Sequence, residues 1–150
     1  MSAATLVDIR ANVVHATATS AQYADLAERY ATDTPVEAGD VVMLGGIEEI
    51  TKCEEAVSDA VFGVVSSSPA YLMNSEAGND DTHPAIALKG RVPVKVRGTG
   101  KAGDRLVSAG SGEARVATLE EATTFNTLGR LIKDKYNEET ALTECVIGVK

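Results

Sequence analysis

Of the side chains suited to imidazole or thiolate chemistry, whether nucleophilic or metal-binding, the 150 residues hold only two histidines and two cysteines, and their spacing keeps them apart. Only His15 and His83 offer an imidazole base. Neither stands in a Gly-x-Ser-x-Gly or comparable setting, so both read as ordinary surface or loop histidines. Cys53 and Cys145 are 92 positions apart, with no Cys-x-x-Cys and no histidine beside either, too few ligands for zinc. Each lies in a strand-like stretch and reads as a buried or half-buried free thiol, a disulfide or inter-subunit bridge being a question of geometry. Asn79, Asp80 and Asp81 bring oxygens together without the twelve-residue spacing and terminal glutamate of a calcium loop, and read as a solvated turn. Gly98-Thr99-Gly100-Lys101 and Gly110-Ser111-Gly112 lack the frame of a phosphate loop and a following helix, and read as hairpin turns. Lys133, Asp134, Lys135, Asn137, Glu138 and Glu139 read as a solvated hairpin tip. No catalytic residue, cofactor-binding residue or metal ligand is assigned, no cofactor is expected, and the chain is not expected to be an enzyme.

Asp40 and Asp104 differ from these because they repeat. Ala38-Gly39-Asp40 opens the apolar run Val41-Val42-Met43-Leu44, and Ala102-Gly103-Asp104 opens Arg105-Leu106-Val107. Each run passes through a glycine turn and returns to a glycine-centred strand, at Gly63 and at Gly129. Asp40 precedes Gly63 by 23 positions and Asp104 precedes Gly129 by 25, so the copies stay nearly in step. An aspartate after glycine at a strand start commonly accepts nearby backbone amides and fixes a turn. What repeats is scaffold, which points to a structural or binding part.

The elements that would carry this scaffold are strands. Val41-Val42-Met43-Leu44 is closed by Gly45-Gly46, and Glu48 to Cys53 reads as its partner. Ala60 to Val65 is strongly β, its Gly63 marking a bulge or a close backbone approach. Val92, Val94 and Val96 alternate with Pro93, Lys95 and Arg97, the pattern of a half-buried strand. Pro93 cannot donate to a ladder, which places it at an edge or bulge. Thr118 to Phe125 reads as a brief helical turn or loop, and Leu142 to Val149 as a last strand. Two segments differ. Residues 1–19 suit an extended N-terminal arm. Ser20 then reads as an N-cap for a short helix, Ala21 to Ala31, with Tyr23, Leu26, Ala27 and Tyr30 as its apolar stripe and Pro35 ending it. Residues 66–84 form the one long irregular stretch, with Tyr71-Leu72-Met73 as an apolar plug, and are expected to be a contact surface. The fold class expected is mainly β: a small β-barrel or sandwich built from the two repeats, comprising the arm at 1–19 and one domain at 20–150 with its short helix.

Composition bounds the partners. A net charge of −8 lacks the basic footprint of a nucleic-acid binder and disfavours anionic membranes. No apolar run approaches the ~20 residues that span a bilayer, and the N-terminus lacks the pattern of a secretory signal. Expression and retention in the cytosol of the producing cell are expected. Aromatics make up only 4% and tryptophan is absent, so the core must come from Val, Ile, Leu and Ala, and oligomerisation would enlarge it.

The strings Ala24-Asp25-Leu26-Ala27-Glu28-Arg29-Tyr30, Glu37-Ala38-Gly39-Asp40-Val41-Val42 and Gly63-Val64-Val65-Ser66-Ser67-Ser68-Pro69-Ala70-Tyr71-Leu72-Met73-Asn74 resemble tailed-bacteriophage structural proteins, in particular domains near the C-termini of fibre proteins. The likeness runs through Leu88 to Val94, Lys101 to Val107 and Leu128-Gly129-Arg130, covering roughly residues 21 to 149. The layout of the strands is also similar to small phage capsid decoration (cement) proteins. That resemblance implies a homotrimer on the outer head surface that clamps the major capsid protein, a virion location after assembly in the host cytoplasm, and no contact with nucleic acid or membrane. No long fibre repeat precedes the domain in this sequence, which weights the expectation toward an independent head-surface protein. A tail-fibre or baseplate adaptor domain is the alternative. A self-cleaving intramolecular chaperone, known among related fibre domains, comes after it, with no residue here to assign as its nucleophile.

Overall fold

The structure is a computed structural model that describes residues 8–15 and 24–150. Ten strands and no helix occur among the described residues. In chain order they are β1 (Asp25–Arg29), β2 (Val41–Leu44), β3 (Ile50–Lys52), β4 (Val61–Val65), β5 (Tyr71–Met73), β6 (Ala85–Arg97), β7 (Arg105–Gly110), β8 (Glu113–Val116), β9 (Gly129–Leu131) and β10 (Ala141–Ile147).

The thirteen-residue β6 organises the rest. Its C-terminal half pairs with β10 on one side and with β8 on the other. β10 then pairs with β9, β9 with β7, and β7 with β8, which closes a five-stranded barrel. Its N-terminal half pairs with β1 and β4, β4 with β2, and β2 with β3. A single parallel bridge from Thr32, just beyond β1, to Ile50 of β3 completes a second and looser ring. The mainly β barrel expected from the repeats is therefore present, and the looser ring beside it follows the same strand order.

The two rings are copies. Thr32 bridges Ile50 in parallel, and Val96 pairs with Ala114 in parallel, each residue 64 positions after its counterpart. Val42 pairs with Gly63 as Leu106 pairs with Gly129. Gly63 and Gly129 have no side chain because a neighbouring backbone occupies its place. A Cβ on Gly63 would lie 2.5 Å from the Ala87 carbonyl oxygen of β6, and one on Gly129 would overlap the Val146 carbonyl oxygen of β10. Only at this close approach can β4 and β9 hold their partners within ladder distance.

The core follows from β6. Val92, Val94 and Val96 point inward with Leu106, Leu131, Cys145 and Ile147 to fill the closed barrel. Val42, Ile50, Val65 and Ile86 fill the looser ring, with Tyr30 and Phe62 packed edge-to-face at a centroid distance of 5.0 Å. Ala85, Ile86 and Ala87 are buried in succession, so alternation is lost where both faces of β6 are covered. Pro93 pairs only with Glu144 of β10 and has no ladder partner on its other side, as its missing N–H requires.

Three expectations are corrected. The helix expected over 20–31 is a strand where it is described: Asp25 to Arg29 pairs antiparallel with β6, and Leu26 to Glu28 pairs parallel with β5. Residues 20–23, including Tyr23, lie outside the described residues. Asp25 and Ala27 are buried while Leu26 between them is not, a period of two in place of the helical stripe. Tyr71-Leu72-Met73 is no plug but β5, an outer strand with Tyr71 exposed. Lys135 is not a solvated tip residue. It is buried, its ammonium donating to the carbonyl oxygens of Gly98 (2.8 Å), Asn137 (2.7 Å) and Glu139 (2.6 Å) and to Asn137 Oδ1 (2.9 Å).

The arm expected at 1–19 is described only over residues 8–15, which form no strand and are exposed, Ile9, Val13 and Val14 included. Thr118 to Phe125 is a turn-rich loop without helix. Glu121 holds it together, accepting from both terminal guanidinium nitrogens of Arg115 at 2.8 Å and from the Thr118 amide at 2.9 Å. The bond from Arg115, with the Thr118 amide behind it, lowers the Glu121 carboxyl to about 2.

Candidate attachment surface

Asp40 and Asp104 fix identical turns. Asp40 Oδ2 accepts from the Glu37 amide at 2.9 Å, and Asp104 Oδ2 from the Lys101 amide at 2.8 Å. In each turn the glycine before the aspartate adopts φ near +90°, at Gly39 and at Gly103. Their surroundings diverge. Asp104 ends the outer rim of the closed barrel and stays half-buried. Asp40 faces the junction of the rings and is wholly buried. Lys95 of β6 reaches its Oδ1 at 2.6 Å and also pairs with Glu37, while Lys52 lies 3.4 Å from Oδ2. Burial acts to lower the Lys95 pKa, but its bonds to Asp40 and Glu37 outweigh that and raise it.

The β7–β8 turn closes the junction. Ser111 and Gly112 both take positive φ, the geometry of a two-residue hairpin loop. Gly112 donates to the Cys53 carbonyl at 2.9 Å and accepts from the Val41 amide at 2.8 Å, so the tip of one ring is stitched into the other. Asp40 with its lysines is thus a brace between rings.

The remaining candidates do not converge. His15 is exposed, and His83 is half-buried, its carbonyl accepting from Arg29 at 2.7 Å. Asn79 Oδ1 accepts from the amides of Asp81 (2.9 Å) and Thr82 (3.1 Å), an Asx turn that spends its oxygen on backbone. Among the described residues no three acidic, histidine or cysteine side chains group as a metal site. Both cysteines are free and buried. Burial raises the Cys53 thiol and pushes Cys145 up to about 12. Since the thiolate is the nucleophile, the native protein is expected to resist Ellman's reagent at mildly alkaline pH and to release both thiols in guanidinium chloride. Prompt reaction of the native protein would show that the barrel opens readily.

What the structure offers is surface. Residues 66–84 are irregular apart from β5 but are pinned from several sides. Arg29 donates to Asp80 Oδ1 at 2.8 Å as well as to the His83 carbonyl, and Asn74 Nδ2 donates to the Arg29 carbonyl at 3.2 Å. The Ala70 amide donates to the Asp25 carbonyl at 2.9 Å. β5 pairs with β1 alone among the described strands, and Leu26 and Tyr71, exactly opposite in register, are both exposed. Beside them a cleft of about 320 Å³ opens where β1, the 38–39 turn, the end of β4, the middle of β6 and β10 meet. Sequence reasoning picked out the loop through its length and turn residues. It missed the cleft, whose walls come from five separate parts of the chain.

Among the described residues no helix is long and apolar enough to cross a membrane. Neither a family model nor a curated protein matches the chain. The fold is similar to that of the pre-mature gene product 12 of bacteriophage phi29, with a TM-score of 0.62 at 16% identity. The alignment covers 92% of this chain and 23% of that one, so this chain spans less than a quarter of the length of its structural neighbour. At this identity the likeness is one of fold.

Proposed function

We propose that the chain is a non-enzymatic structural protein of a bacteriophage virion, and within that class a trimeric capsid decoration protein that stabilises the head shell. The observation that carries the reading is the fold likeness, over nearly the whole chain, to a bacteriophage gene product. The strings around Asp25, Asp40 and Gly63 support it by resembling phage structural proteins. So does the pinned loop at 66–84, which presents Tyr71 at little ordering cost on binding. In this reading the loop and the arm at 1–19 contact the major capsid protein or other virion proteins. Nucleic acid and membrane are not partners. Modest contacts from each of three subunits then multiply into firm attachment.

Light scattering of the purified chain and co-sedimentation with undecorated heads test the reading. A trimer that pellets with heads is expected, as is a version lacking residues 1–19 that stays folded but no longer pellets. A monomer that ignores heads would refute it. The neighbour's length favours one second reading, since the same fold there is part of a much longer chain: a tail-fibre or baseplate adaptor domain. Immuno-labelling of virions separates tail from head. Mass spectrometry after long incubation tests the self-cleaving chaperone, which requires fragments.

A further inference from the structure

The cleft beside β1 is lined by a buried carboxylate, one oxygen of which has no partner. Asp25 is 4% exposed, and its Oδ2 is buried with no hydrogen-bond donor in reach. A buried carboxylate oxygen left unpaired is costly, and a fold that keeps one has a donor arriving from elsewhere. Around it the cleft is walled by the carbon surfaces of Ala24, Ala38, Val65, Val92, Pro93 and Leu142. The nearest cation at the rim, Arg91, is directed to Glu144 at 3.4 Å. The three serines Ser66, Ser67 and Ser68 line the same opening. At about 320 Å³ the space far exceeds one water and sits at the small end of ligand sites.

An aliphatic cleft with a buried carboxylate in its wall, one oxygen of it unpaired, matches a flexible alkyl stem that carries a compact ammonium. A guanidinium is matched less well, because among the described residues no aromatic face lines the cleft for it to stack on. From this juxtaposition we infer that the cleft is a docking site for a lysine side chain presented by a partner protein, the Asp25 carboxylate turning so that its unpaired oxygen accepts from the ammonium. The net charge of −8 draws such a partner in. The inference goes beyond the virion reading and does not depend on it, since any protein with a protruding lysine has the required chemistry.

The test is an amide-resolved NMR titration of the full chain with the peptide acetyl-Ala-Lys-Ala-amide. Its norleucine analogue and putrescine serve as comparators. Saturable shifts centred on Ala24, Asp25, Ser66 to Ser68 and Val92 are expected with the lysine peptide in the millimolar range, at least tenfold weaker with norleucine. Asp25→Asn keeps the shape and removes the charge, so it should weaken the peptide at least tenfold. Its thermal midpoint should be unchanged or raised, because Oδ2 has no bond to lose among the described residues. The inference is overturned by an absence of saturable shifts, by equal responses to lysine and norleucine, or by an unaltered response in Asp25→Asn. Tighter binding of putrescine than of the peptide would overturn the protein partner in favour of free diamines. A midpoint lowered by more than about 5 °C would assign the carboxylate to the fold, and so would also overturn it.

Discussion

Gly129→Ala is expected to cost about 3 kcal/mol or more, at or beyond the top of the range for overpacking a core. The added methyl would overlap the Val146 carbonyl oxygen and lie 2.7 Å from the Ile147 Cα, both backbone atoms of β10. No rotamer change relieves such contacts. β9 and β10 must part, and with them the seam that closes the barrel. Against a total stability of order 5–15 kcal/mol, a loss of this size leaves a marginal protein. Gly63→Ala is expected to cost less. One of its two close neighbours is the Ile86 Cγ2 methyl at 2.6 Å, which can turn aside, although the Ala87 carbonyl oxygen cannot. Urea unfolding of both variants, read as midpoint and slope, checks the ranking. A Gly129→Ala protein within 1 kcal/mol of the parent would mean that the strands sit farther apart than described.

The second large effect separates residues that look interchangeable. Asp40→Ala should cost about 3 kcal/mol and Asp104→Ala about 1 kcal/mol, measured by the same unfolding curves. Each substitution removes one cap on a backbone amide, at Glu37 or at Lys101. Only the first also strips a buried carboxylate from Lys95 and Lys52. The figure for Asp40 stays at the low end for a broken buried pair because the lysine side chains are 22% and 27% exposed and can turn to water. Double substitution with Lys95→Ala should then show coupling for Asp40 and none for Asp104. Equal losses at the two aspartates would remove the idea of a brace between the rings.

The same pair shows what could be read from the sequence. Turn chemistry is local: glycine at positive φ followed by an aspartate that accepts an amide three residues back needs no tertiary partner. Both turns, and the repeat they mark, were therefore visible in one dimension. Asp40 and Asp104 part company only because the first faces β6 and the Gly112 tip while the second stays half-buried and pairs with no lysine among the described residues, and nothing near either residue encodes that. The segment at 25–29 misled for the complementary reason. Leu26, Ala27 and Tyr30 have helical spacing, but ladders to β6 and β5, strands from far along the chain, override that preference. Lys135 looked like one more charge in a polar tip. Its burial depends on oxygens from Gly98 and from the turn closing around it. The cleft was the least legible, since Asp25, Val65, Pro93 and Leu142 become neighbours only once both rings exist.

One strand serving two rings has a further consequence. Had the duplicated units been joined by a linker, each could open alone and reseal. Here the last wall of the first unit runs on, without interruption, as the first wall of the second. Peeling away either half lays bare a flank of the other, so the halves melt as a unit, and a pull applied at one end is carried along a continuous backbone to the far side of the molecule.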